Sequence, residues 1–79
     1  MFEQKTIIAF ERAAEAAYAA MYDAKPHNVK DCYDDAQLCF GHAIEAAKLA
    51  SLADEVERLK SRVEHITKVY NAHFRGVGG

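Results

Sequence analysis

The sequence predicts an all-α protein, an antiparallel three-helix bundle with helices over about 3–24, 29–50 and 52–75. Three observations lead there. Apolar residues recur at steps of three and four in three separate stretches, the spacing that gathers them on one face of a helix. Strand signals are missing, since β-branched residues are scattered and no Asn-Gly or Asp-Gly dipeptide offers a hairpin turn. The single proline, Pro26, punctuates the chain once. A helical hairpin with one long second helix is the alternative architecture, because no Gly or Pro separates the second stretch from the third.

The first helix carries Ile7, Phe10, Ala14, Ala17 and Met21 as one stripe, and Phe2, Ala9, Ala13, Ala16, Ala20 and Ala24 as a second apolar flank. Together they cover about 200° of the helix, twice the arc that one buried face requires. Helix one is therefore expected to touch two neighbours, with its alanines allowing close approach. Lys25-Pro26-His27-Asn28 then breaks the helix, because proline lacks the amide hydrogen and disfavours helical geometry before it. Asn28 followed by Asp31 reads as the N-cap of helix two.

Helix two places Val29, Cys32, Tyr33, Ala36, Cys39, Phe40, Ala43, Ile44, Ala47 and Ala50 on one face. Gly41 interrupts it at a cost of about 1 kcal/mol against alanine, which suggests close approach of another backbone. A tight turn is expected at about 49–53, where Ser51-Leu52-Ala53-Asp54 and Asp54-Glu55-Val56-Glu57 both resemble capping boxes. Helix three has the cleanest pattern: Leu52, Val56, Leu59, Val63, Ile66, Tyr70 and Phe74, a narrow seam of the coiled-coil kind. Asp54–Arg58, Lys60–Glu64 and Glu64–Lys68 are opposite charges at i,i+4 on its outer face. Gly76 suits a C-terminal cap.

A length of 79 residues allows one small domain, assigned to 1–75, with 76–79 as a flexible tail. Fifteen of the apolar residues are Ala and nineteen are Ile, Leu, Val, Phe or Met. A core so rich in alanine is thin, which favours help from a partner chain. The formal charge of −2 argues against a strongly basic nucleic-acid-coating protein. Arg58, Lys60, Arg62 and Lys68 are interleaved with Glu55, Glu57 and Glu64, as on a solvated, salt-bridged face. Neither a nucleic acid nor a membrane is expected as partner.

The first residues, Met1-Phe2-Glu3-Gln4-Lys5, bring charges where a signal peptide needs an unbroken apolar run. Cys32 and Cys39, seven residues apart on one helix, have Cα atoms separated by about 10 Å. That exceeds the ~7 Å limit of a disulfide, and free thiols fit a reducing cytoplasm.

No catalytic motif is present. The residues three before His42, His65 and His73 are Cys39, Arg62 and Tyr70, so the Glu-x-x-His of di-iron bundles is missing. His-Glu-x-x-His, phosphate-binding glycine loops and Gly-x-Ser-x-Gly are missing too. The expectation is a protein without catalytic activity and without a cofactor. Cys39 and His42 could supply two ligands to a metal or small molecule, a binding bundle being the alternative function. One surface feature departs from amphipathicity: Leu38, His42 and Leu49 share the side of helix two opposite its apolar stripe. Tyr18 and Tyr22 border the polar side of helix one. These five are the candidate partner-binding residues of a helical interaction module, expected to form a homodimer.

Overall fold

The computed structural model describes residues 2–75, with side chains from Lys5 onward. Helix α1 spans Phe2–Asp23, a 3-10 turn Pro26–Asn28, helix α2 Val29–Leu49 and helix α3 Ala53–Val69, which runs on into a π-helical turn at Tyr70–Phe74. The three helices form a bundle measuring 41 × 18 × 13 Å, and no strand occurs among the described residues. α2 runs antiparallel to both of its neighbours, so α1 and α3 are parallel.

The expected stripe of α1 faces inward, with Ile7, Ala14 and Met21 buried and Phe10 and Ala17 half-buried. Ala14 joins Ala43 and Ala47 of α2 in the core, and Ala36 is likewise without solvent exposure. Side chains this short let the two backbones come together, and α1–α2 is the most closely packed pair. The alanine flank behaves otherwise. Ala9, Ala13, Ala16 and Ala20 are exposed, and the second neighbour lies against the arc that carries Glu11 and Glu15. That correction has a simple cause: arginine side chains from α3 bridge the gap, so the facing positions on α1 are acidic rather than apolar.

Every expected inward residue of α2 is buried or half-buried. Phe40 is the largest side chain fully enclosed, followed by Ile7, Met21, Leu59 and Ile66. Burying each such side chain is worth about 1.5–3 kcal/mol. Gly41 does not serve a close approach: it is exposed, and a Cβ added there would meet nothing within 4 Å. Asn28 occupies the N-cap position but makes no side-chain cap hydrogen bond. Instead its own amide bonds the Lys25 carbonyl at 2.8 Å, inside the 3-10 turn that Pro26 opens.

The α2–α3 connection is a turn over Ala50, Ser51 and Leu52, so the chain does not continue as one long helix. Leu52 N–H donates to the Ala47 carbonyl at 2.9 Å and Ser51 N–H to the Lys48 carbonyl at 3.0 Å. This is the paired bonding of a Schellman motif. The motif needs a left-handed residue at its apex, and Ser51 fills that place with φ 59°. Ser51 therefore ends α2 rather than capping α3, whose N-cap is Leu52 with no side-chain cap hydrogen bond.

In α3, Val56, Leu59 and Ile66 are buried, with Leu52, Val63, Tyr70 and Phe74 half-buried along the same seam. Arg58 is taken by Glu11 and Glu55 rather than by Asp54, while Lys68–Glu64 does pair, at 3.5 Å. α1 and α3 hardly approach through their backbones. Arg58 and Arg62 span that distance, each reaching the residue 47 positions earlier, Glu11 and Glu15. The expected cap Gly76 and the tail 76–79 lie outside the described residues.

Candidate functional site

The five candidate residues fall into two groups. Leu38, His42 and Leu49 lie along the outer side of α2, which the inward stripe leaves facing solvent. Leu38 is 60% exposed and Leu49 83%. His42, exposed between them, tilts its ring over Phe10 of α1 with centroids 5.1 Å apart. The rigid helix holds the two leucines about 16 Å apart along its axis, with the imidazole between.

Tyr18 and Tyr22 belong to a different place, the edge of α1 that meets α3. Their hydroxyls are 3.0 Å apart and their rings pack edge to face at 5.6 Å. The Arg62 guanidinium sits 5.1 Å from the Tyr18 ring centroid, within reach of a cation–π attraction. Tyr22 packs its ring on Phe74 at 5.1 Å while remaining 59% exposed. The hydrogen bond to Tyr22 and partial burial raise the Tyr18 pKa above its ordinary value. The tyrosine pair thus fastens α1 to the end of α3.

The structure adds residues that the sequence did not single out. Ile8 is 47% exposed, one position round from the inward Ile7. Tyr33, Gln37 and Thr67 form a half-buried polar triad between α2 and α3. Gln37 Nε2 donates to Tyr33 Oη and to Thr67 Oγ1, both at 2.9 Å, and the Tyr33 hydroxyl reaches Thr67 Oγ1 at 3.3 Å. Tyr33 also stacks on Tyr70 at 3.9 Å. Thr67 lies beside the apolar seam, and its pairing with a glutamine thirty residues away leaves no trace in local spacing.

Cys39 is half-buried against the core and Cys32 is likewise half-buried, both as free thiols. Among the described residues no three His, Cys, Asp or Glu side chains come together as a ligand set. Among the described residues none of those fully buried is polar or charged. A concavity of about 180 Å³ beside Ser61, Glu64, His65 and Lys68 lies on the outer face of α3 alone. Among the described residues no helix is long and apolar enough to cross a membrane.

The fold and its surface define a small all-α bundle with two separate exposed apolar features. Comparison of the chain with family models, with curated proteins and with solved structures gives no match.

Proposed function

We propose that this chain is a small helical protein–protein interaction module or subunit without catalytic activity, which pairs with a second copy through the outer face of α2. One observation carries the reading: Leu38 and Leu49 present large apolar side chains to solvent on one face of a well-packed helix. Withdrawing two leucines from water is worth about 1.5–3 kcal/mol each, and twofold symmetry doubles the gain because each copy offers the same face. His42 between them supplies a polar group whose ring is already oriented by Phe10. The free thiols of Cys32 and Cys39 support placing the module in the cytoplasm.

The test is Leu38→Glu combined with Leu49→Glu, followed by sedimentation equilibrium and circular dichroism. At dilute, resting concentration, loss of the dimer with helicity retained is expected, since neither side chain contributes to the core. An unchanged association state would remove the α2 face as the contact.

A further inference from the structure

We infer that the turn at Ala50–Leu52 is a hinge through which two copies of this chain exchange α3, each bundle of the resulting dimer being completed by its partner's third helix. This inference is independent of the α2 face, because exchange reuses the interior contacts and leaves Leu38 and Leu49 in solvent.

Four features of the turn converge. It is only three residues long, and Ser51 holds a left-handed conformation, φ 59°, that side chains other than glycine adopt only at a cost. Short strained connections of this kind favour exchange of the element beyond them. The stretch Leu49-Ala50-Ser51-Leu52-Ala53-Asp54 contains neither glycine nor proline, so every residue in it can be helical. α3 begins without a side-chain cap, which leaves its first amides without intrahelical partners. Straightening the turn gives those amides the carbonyls of the last turn of α2. Finally, the space beside the turn is not filled: a shallow concavity of about 340 Å³ is lined by Lys48, Ser51, Leu52, Ala53 and Val56. None of the turn's three residues is fully buried, Ala50 and Leu52 being half-buried and Ser51 exposed.

Once straight, α2 and α3 form one helix from Val29 to Val69, about 60 Å long. Its α3 half lies beyond the reach of its own α1. A second copy in the same state has a vacant α1–α2 hairpin, and that hairpin offers Glu11, Glu15, Tyr33 and Gln37 to the incoming Arg58, Arg62, Tyr70 and Thr67. Asp54 and Glu55 in the first turn of α3 stabilise the closed form through the helix dipole, which keeps exchange a concentration-dependent step rather than the resting state.

Ser51→Gly and Ser51→Ala test the hinge without touching the core. Glycine relieves the left-handed turn and weakens a continuous helix, whereas alanine does the reverse. With both substitutions made in the Leu38→Glu, Leu49→Glu chain, which takes the surface pairing away, the dimer dissociation constant of Ser51→Gly should exceed that of Ser51→Ala by about a hundredfold or more, since two hinges open per dimer. Equal constants, or monomers alone in both, would overturn the exchange. A second experiment identifies what is exchanged. One chain carries Arg58→Glu and Arg62→Glu, the other Glu11→Arg and Glu15→Arg. Alone, each places like charges together, whether closed or paired with itself. Exchange of α3 between the two different chains restores opposite charges at both ladders. Native mass spectrometry of the co-refolded mixture should show heterodimer in at least about tenfold excess over either homodimer, and no excess would argue against α3 as the travelling element. The Leu38→Glu, Leu49→Glu chain should lose the surface pairing at dilute concentration yet still exchange when concentrated, so failure of the surface reading and failure of this one are separable.

Discussion

Arg58 of α3 grips the Glu11 carboxylate of α1 with both terminal guanidinium nitrogens, at 2.7 and 2.8 Å. One turn further on, Arg62 holds Glu15 through Nε and one terminal nitrogen, at 2.6 and 2.8 Å. The two bridges share one offset along two parallel helices and so fix the axial position of α3. Paired bidentate contacts carry geometric specificity as well as energy.

The ladder predicts measurable coupling. In a double-mutant cycle of Glu15→Ala and Arg62→Ala, the interaction should be about 0.5–1 kcal/mol, as befits a half-exposed bidentate pair. Urea unfolding of the four chains measures it, and added salt should shrink it. A coupling indistinguishable from zero would reduce the ladder to a surface coincidence.

Acid should loosen α3 through Glu11. Its hydrogen bonds to Arg58 hold the carboxyl below the ordinary value of 4.5. The folded state therefore releases this proton more readily than the unfolded chain. Its contribution is complete above the ordinary value and is lost as pH falls through the lowered folded-state pKa. Glu55, lowered by the same guanidinium, acts in the same direction. Glu11→Gln should flatten the acid limb of the stability curve below about pH 4.5 and leave its neutral plateau lower. An acid limb as steep as that of the parent chain would contradict this.

Gly41→Ala should stabilise the protein by about 0.5–1 kcal/mol, because the position is exposed and mid-helix with room for a methyl group. Thermal unfolding with the outer face of α2 otherwise intact reads the change. A loss of stability would mean that Gly41 faces a contact in solution.

Thr67→Val removes an acceptor from Gln37 and a partner from Tyr33. A cost of about 1 kcal/mol is expected, most of it from half-buried polar groups left unmatched. Adding Gln37→Leu should recover part of that loss, and full additivity of the two costs would show that the triad does not act as a unit.

The reading from sequence succeeded where local spacing decides the structure. The seam Val56, Leu59, Val63, Ile66 and the break at Pro26 were legible because each follows from neighbours a few positions away. The turn at Ser51 was located but its chemistry misread, since a serine doing what glycine usually does looks like an N-cap. Long-range pairing was invisible. Arg58 has Asp54 four residues before it, and nothing local reveals that Glu11, across the bundle, competes successfully for it. Gly41 misled for the opposite reason, since its presence in a helix invited a packing explanation that the open space around it does not support. The exposure of Leu38 and Leu49 was legible because both violate amphipathicity, whereas exposed Ile8 escaped notice beside the inward Ile7.

An odd number of helices leaves the bundle electrically lopsided. Helix dipoles cancel in antiparallel pairs, and here α1 and α3 point one way with α2 alone against them. The end where α1 and α3 finish keeps an excess negative pole of about half an elementary charge, with the matching positive pole at the opposite end. Lys68 and His73 stand in the last turns of α3 at the negative end, together with Asp23 from the end of α1 and Asp31 from the start of α2. The two tips of this narrow molecule thus differ in polarity before any side chain is counted.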